Sequence, residues 1–408
     1  MNGRAPRGHP NRFEALYALA NVGAFLCFVP LIGFFLPQRA MVLAPDHGVR
    51  LLSWILFWGA VASSIVNFFA GWLSDRLMGR HGSRLPMVAI GLVATIVSFG
   101  VLANAATAEA LVLAFLFFQI CFNLMFSPFN ALAADHVSDA RKGRVFGLLS
   151  LGLPLAQLAI VGIVVMGVGD MTSWLLIVAV AVTIAIVPLL LLGRSCAGPP
   201  IVPLEKADEP DGRRAPSAPL RRDFALAWVG RLLVQCTAVA TSSYLLVHLS
   251  DGKRAADMAE SWFSALAMIA LVAGVLVGVV VGRWSDRTST RRPFLQATAL
   301  LIAAGCALVG VANSWESIAS GYVTFVVGLT GFLTVDGAVV AELVGREENR
   351  GAQLGVMNLT NTLPALIVPL LALLLDRSGL DVTVWLFLCL SAGAVGTALL
   401  VSMMRTIR

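Results

Sequence analysis

The chain has 408 residues, of which 58% are hydrophobic and only 13% charged, with a formal net charge of +6. A water-soluble chain of this length would carry about a quarter charged residues, so a globular soluble protein is excluded for want of a solvating surface. The mean hydropathy of +0.85 agrees, and the apolar residues fall in long blocks rather than in the roughly ten-residue alternating segments of an outer-membrane barrel.

About 20 apolar residues cross a bilayer as a helix, the structure left to a chain that must satisfy its backbone without water. The blocks predict twelve spans, at about 15–36, 51–73, 86–104, 110–132, 145–168, 173–193, 223–248, 259–282, 293–313, 317–341, 352–376 and 382–403. The polar, basic stretch before the first span and the length of that span predict no cleavable leader. Glu14, Tyr17 and Asn21 share a face at the start of span one, where Glu14 reads as an interfacial carboxylate rather than a coupling one.

Between spans two and three lies a charged signature that runs from Gly71 through Ser74, Asp75 and Arg76 to Arg84 and Pro86. Span four carries Gln119, Asn123 and Asn130 within one narrow helical stripe, with Asp135 near the opposite side at its end and Arg144 beyond it. A proline-rich polar stretch follows span six and separates an N-terminal bundle, 1–193, from a C-terminal bundle, 223–408, by a linker at 194–222. Span seven repeats the stripe with Arg231, Gln235 and Ser242.

The charged signature then returns after span eight as Gly282, Asp286, Arg287 and Arg291, again followed by a proline, Pro293. Asp336 lies within span ten, Glu342 and Arg350 flank the turn after it, and Asn358, Asn361 and Thr362 lie on span eleven. The turns from Asp135 to Gly147 and from Glu342 to Gly355 match, so each half carries two equivalent landmarks, as expected of a duplicated membrane transporter.

With the N-terminus inside, 23 of the 29 Lys and Arg residues fall in cytoplasmic segments, and five fall outside: Arg39, Arg50, Lys253, Arg254 and Arg377. That asymmetry predicts an inner-membrane protein with both termini in the cytoplasm. It also accounts for the basic pI without any nucleic-acid surface. The six cysteines lack metal-ligand spacing and read as small packing residues, so neither a metal site nor a disulfide framework is expected. Histidines 9, 47, 81 and 136 lie in expected loops or tails, and His248 near the outer end of span seven; all read as solvated or interfacial. No nucleophile elbow, P-loop or HExxH pattern is present, so no catalytic residue and no enzyme activity are expected.

The G-x-x-x-D-R pattern with following basic residues, after spans two and eight, resembles the cytoplasmic signature of the major facilitator superfamily over essentially the whole chain. The stretch Ser127-Pro128-Phe129-Asn130-Ala131-Leu132-Ala133-Ala134-Asp135 with Gly143-Arg144, and Gly355-Val356-Met357-Asn358-Leu359 with Leu363-Pro364, is similar to the glycoside–pentoside–hexuronide symporters and the sucrose-transporter-like branch. Asn130 stands where sucrose carriers often have an arginine. The resemblance implies an all-α membrane protein of twelve helices in two pseudo-symmetric six-helix bundles, working by alternating access.

The resemblance further implies gating by Gly71, Asp75, Arg76, Arg84, Asp135 and Arg144 in one half, and by Gly282, Asp286, Arg287, Arg291, Glu342 and Arg350 in the other. Spans one, four, seven and ten would line the cavity, with Gln119, Asn123, Asn130, Arg231, Gln235, Asn358 and Asn361 as substrate-binding candidates. Arg231 and Asp336 lie at comparable depths and are expected to pair, with Asp336 as the coupling carboxylate, because a lone charge in lipid costs at least ~2.5–3.5 kcal/mol. The expected function is uptake of a sugar or glycoside driven by protons, or alternatively sodium, without another cofactor. The runner-up is proton-driven efflux of a small amphipathic compound, and a third class is a transporter-like receptor. Two bundles around one pathway need only the bilayer and their solute, so a monomer is expected.

Overall fold

The computed structural model describes residues 10–137, 141, 145, 147–149, 151–166, 170–197, 218–250, 259–288, 290–343 and 350–405, and every regular element among them is helical. In chain order these are α1 (Pro10–Pro30), a π-helical turn (Leu31–Phe35), α2 (Leu36–Leu43), α3 (Gly48–His81), α4 (Leu85–Ala103), α5 (Ala108–His136), α6 (Gly152–Val165) and α7 (Met171–Ala197). Then come α8 (Ala218–Ser250), α9 (Ala259–Thr288), α10 (Arg292–Val311), α11 (Trp315–Leu343), α12 (Arg350–Thr362), α13 (Pro364–Arg377) and α14 (Val382–Ser402).

Helix lies at the position of every expected span, and the protein is an all-helical, multi-pass membrane protein. Among the described residues nine helices are long and apolar enough to cross a membrane, and α12 with α13, bent by 42° at their junction, makes a tenth. Pro364 opens α13 and supplies the physical cause of that bend, since proline lacks the N–H and its ring crowds the preceding turn. In the first span the helix widens to a π turn directly after Pro30, and Leu36 N–H bonds back to Leu31 O.

The charged signature is helical where a turn was expected. α3 continues for 34 residues through Ser74, Asp75 and Arg76, leaving residues 82–84 between it and α4. Both helices that follow a signature, α4 and α10, have proline in their first turn, where the missing N–H has no intrahelical partner to lose.

Two compact units divide the chain, one comprising Met1–Leu36 and Trp58–Asp211, the other Pro37–Phe57 and Gly212–Arg408. The stretch Pro37–Phe57 therefore groups with the later half, although it belongs to the earlier half in sequence. Two of its side chains make the ties: Arg50 Nε donates to Asp376 Oδ2 at 2.5 Å, and Ser53 shares a 2.8 Å hydrogen bond with the Tyr244 hydroxyl.

In the first unit α1 packs on α6 and α7, and α4 packs on α5 and α7. The α4–α5 contact is close because of Gly91, whose missing Cβ would lie 2.5 Å from the backbone of Met125. The second unit repeats the device. There α10 packs on α11 and α14, and a Cβ at Gly305 would lie 2.4 Å from the Phe325 amide nitrogen. Small residues let membrane helices approach this closely, since dispersion rather than the hydrophobic effect holds them together. Large apolar side chains such as Phe68, Leu113 and Leu191 point outward, as a lipid-facing surface requires.

Candidate functional site

In the first unit, Arg84 gathers groups from two helices just before α4 begins. Its Nη1 donates to Asp75 Oδ1 at 2.6 Å and to Ser74 Oγ at 2.9 Å, both on α3. Its Nε donates to Asp135 Oδ2 at 2.6 Å at the end of α5, with Nη2 at 3.4 Å from Oδ1. The side chains of Arg84 and Asp135 are 11% and 16% exposed, whereas Asp75 is 70% exposed. Burial alone would depress the guanidinium pKa. The hydrogen bonds and charges of Asp135 and Asp75 outweigh it and hold Arg84 above its ordinary value.

Next to this cluster His136 is held below the usual imidazole range. Burial is the largest cause; the charge of Asp135 opposes it and that of Arg84 assists it. Arg76 takes another course, with its guanidinium carbon 5.6 Å from the centre of the Trp72 ring. Gly71 lies on the same helix, where a Cβ would meet Ser127 Oγ at 3.3 Å. Arg144 lies outside the described residues.

The second copy of the signature is described in its backbone. Gly282, Asp286 and Arg287 lie within α9, Glu342 near the end of α11, and Arg350 at the start of α12; their side chains lie outside the description. Arg291 is half-buried at the N-cap of α10, its carbonyl accepting from Leu295 N–H.

The stripe on α5 divides. Gln119 Nε2 donates to Gly59 O at 3.2 Å, and Asn123 Nδ2 donates to Ser63 Oγ at 3.0 Å. Asn123 Oδ1 accepts from Asn67 Nδ2 at 3.2 Å, and Ser127 Oγ donates to Asn67 O at 3.1 Å. These pairs advance four residues at a time on both helices, so α3 and α5 run parallel, joined by a polar seam. Gln119 and Asn123 are buried in that seam, while Asn130 is exposed. Such interhelical contacts contribute roughly 0.6–2 kcal/mol each in membranes.

Besides His136, which ends α5 half-buried against Phe13 rather than lying in a solvated loop, two expectations of exposure are corrected. Glu14 is buried rather than interfacial, and its Oε1 accepts from Arg141 Nη1 at 2.9 Å. Its neighbours on the same face are buried as well: the Tyr17 hydroxyl donates to Phe129 O at 3.2 Å and Asn21 Nδ2 to Leu149 O at 2.8 Å. His248 is likewise buried, with its ring nitrogens 2.8 Å from Thr383 Oγ1 and 2.9 Å from Val309 O. In both cases a neighbouring helix supplies the polar partner that makes burial tolerable.

In the second unit, Arg231 on α8 and Asp336 on α11 form a direct pair, Nη1 donating to Oδ2. Asp336 is 4% exposed and Arg231 19%. The remaining guanidinium edge faces α12: Nε donates to Thr360 Oγ1 at 3.0 Å and Nη2 reaches Asn361 Oδ1 at 3.4 Å. Gln235 Nε2, one turn along α8, donates to the same Asn361 oxygen at 2.7 Å, and Asn361 Nδ2 donates to Asn358 Oδ1 at 3.0 Å. Asn358 and Asn361 are exposed and Thr360 is buried. The result is a buried charge pair with a row of amides leading from it to an exposed surface. Sequence reading did not single out Thr360 or the Ser63–Asn67 partners. The four-residue offset of Ser63 and Asn67 on an otherwise apolar span was the signal available for the last two.

Comparison with known proteins places this geometry in a wider setting. No curated protein matches the sequence. Among solved structures, the chain is similar to a POT family transporter, PepTSo (11% identity, 98% of each chain covered, TM-score 0.71). It is also similar to the nucleoside transporter NupG (12% identity, 97% of this chain and 100% of that one, TM-score 0.67). A bacterial homolog of the human lysosomal transporter Spinster gives 14% identity over 98% of this chain and 96% of that one, with a TM-score of 0.64. At such identities the likeness is one of fold. The family model of the Major Facilitator Superfamily matches residues 16–369 and 258–406. With that match over most of its length, its duplicated signature and its all-helical fold, the chain belongs to the Major Facilitator Superfamily of transporters.

Proposed function

We propose that the protein is a secondary active transporter of the cell membrane that takes up a sugar or glycoside together with a proton by alternating access. One observation carries the reading: a membrane-embedded carboxylate, Asp336, whose arginine partner is also bonded into the Thr360–Asn361–Gln235–Asn358 row. Intramembrane carboxylates serve as proton carriers in transporters, and side-chain amides offer both donors and acceptors to hydroxyl groups. Protonation of Asp336 loosens its hold on Arg231, and Arg231 shares Asn361 with Gln235, so a proton alters the groups that meet the solute. Gln119 and Asn123 serve the α3–α5 seam in this reading, and within the second unit the solute contacts fall to Arg231, Gln235, Asn358 and Asn361.

The Arg84 cluster belongs to the gate. It joins α3, α5 and the start of α4 in one state and releases them in the other, with both termini on the cytoplasmic side. Proton-coupled uptake is tested in liposomes enclosing a pH dye, to which mono- and disaccharides are added without sodium. Sugar-dependent proton entry that is lost in Asp336→Asn supports the reading. Entry that survives the substitution removes Asp336 from the coupling role, and a lack of response to every sugar turns the assignment toward sodium-driven uptake and then export.

A further inference from the structure

His248 is a buried titratable side chain that the transport reading leaves idle. It lies seventeen residues along α8 from Arg231, about 25 Å of helix at 1.5 Å per residue. We propose that His248, Thr383 and Asp381 form a separate proton-binding site, filled from the outer water, which clasps α8 to α10 and α14 when occupied. Its sidedness rests on the orientation proposed above, with both termini in the cytoplasm; its chemistry does not.

The hydrogen bonds fix where protons sit. Nε2 lies 2.9 Å from Val309 O, a carbonyl in the last turn of α10. A carbonyl only accepts, so Nε2 carries a hydrogen in every state. Nδ1 lies 2.8 Å from Thr383 Oγ1, and that hydroxyl lies 3.0 Å from Asp381 Oδ1. Threonine has a single hydrogen to give. Given to Nδ1, it leaves the ring neutral. Given to Asp381, it obliges Nδ1 to donate in turn, and the ring is an imidazolium. The same Asp381 oxygen caps α14, accepting from the Thr383 and Val384 amides at 3.1 and 3.2 Å. Rotation of one hydroxyl therefore converts either state into the other with the backbone still.

Burial, the edge-on Phe387 ring and the positive end of α14 oppose the charged form. Asp381, the negative end of α10 and an acceptor for each ring nitrogen favour it. Other charged or titratable groups at this end of the unit are named among the described residues. Pro37–Phe57, whose Ser53 shares a bond with Tyr244 one turn before His248, brings Arg39, Asp46, His47 and Arg50. α13 ends in Asp376, paired with Arg50, and Arg377, and α11 opens with Glu316. Asp381 is joined to the ring through Thr383 and is exposed, so a proton has a route. It adds to Oδ1 from water and passes to Thr383 Oγ1 as the Thr383 hydrogen passes to Nδ1. Asp381 is left a carboxylate accepting from Thr383, and His248 a cation. Ionised donors bind more strongly than neutral ones, so occupancy tightens α8 against both neighbours.

The test uses the whole protein in phospholipid nanodiscs, isotopically labelled at its histidine nitrogens and followed by NMR between about pH 5 and 8, where imidazoles titrate. One histidine should keep its hydrogen on Nε2 throughout and gain another on Nδ1 as the pH falls. Asp381→Asn, which retains a helix cap, should lower that midpoint by about one pH unit. Thr383→Val should lower it as well, and Thr383→Ser should leave it in place. His248→Gln should remove the signal, and if that variant does not fold, the response to the other three identifies it. In liposomes carrying Asp336→Asn, solute exchange should still depend on the outside pH and should lose that dependence when Thr383→Val is added. An Nδ1 still bare at about pH 5, a midpoint indifferent to Asp381→Asn, or exchange by Asp336→Asn that ignores the outside pH would overturn the proposal. If no sugar is exchanged, it is the sugar reading that fails; the ring titration needs no solute and still decides the proton site.

Discussion

The two arginine clusters use the same chemistry to opposite ends. Arg84 sits at a helix end between two carboxylates, one of them 70% exposed, so the cluster carries an excess negative charge that water can solvate. Arg231 faces one carboxylate, 4% exposed, and the pair balances with nothing to spare. At the helix end, a partner can be lost to solvent at small cost. Deep in the bundle, any change of charge must be answered by another charge. The first arrangement suits a latch that opens and closes, the second a site that ties a proton to a solute.

The largest expected effect comes from breaking the balanced pair. Asp336→Asn leaves a buried guanidinium unpaired, which should cost about 3–5 kcal/mol of stability and abolish uphill uptake while solute exchange persists. Thermal unfolding and counterflow assays measure the two arms. If stability falls by less than ~1 kcal/mol, the site is wetter than its burial indicates and the contrast with Arg84 weakens.

Breaking the other cluster should hurt less. Arg84→Gln leaves the largely buried Asp135 without its cation, at a cost of roughly 1–3 kcal/mol, and Arg84→Lys should fall between because a lysine cannot bridge two carboxylates with a planar fork. A cost for Arg84→Gln equal to that of Asp336→Asn would erase the distinction drawn between the two sites.

Within the Arg84 cluster the two carboxylates should differ. Asp75→Asn should cost under ~1 kcal/mol, as exposed ion pairs do, and Asp135→Asn distinctly more. The smallest effect concerns acid. The imidazole of His136 is held below its ordinary value of 6.5, so it opposes unfolding at neutral pH. That contribution is fully present above the ordinary value and is lost as the pH falls toward the folded one, where the unfolded chain binds the extra proton. A His136→Asn variant should therefore show a shallower fall in melting temperature between neutral and mildly acidic pH. An unchanged slope would place the acid sensitivity elsewhere.

The sequence made the helices legible because lipid leaves few alternatives. Long apolar blocks have one backbone solution, and prolines at 86 and 293 mark where helices restart. It also brought Arg231 and Asp336 under suspicion, since a charge among apolar residues demands a partner. It could not say that Gln119 and Asn123 turn toward Ser63 and Asn67, because a stripe on one helix does not name the helix it faces. Glu14 and His248 were misjudged for the same reason: near a span's end, solvent and a neighbouring helix are equally available in sequence, and only packing chooses between them.

Composition and periodicity along the chain were enough to settle the membrane, the helices, the duplication and the presence of buried charge. Tertiary structure alone decided which partner each polar group found. It gave Arg84 to both Asp75 and Asp135, set Thr360 and Asn361 against Arg231, and grouped Pro37–Phe57 with the later half. The reason is physical. The cost of burying a polar group is local and can be read from the residue, whereas the hydrogen bond that offsets it comes from another helix, often more than a hundred residues away.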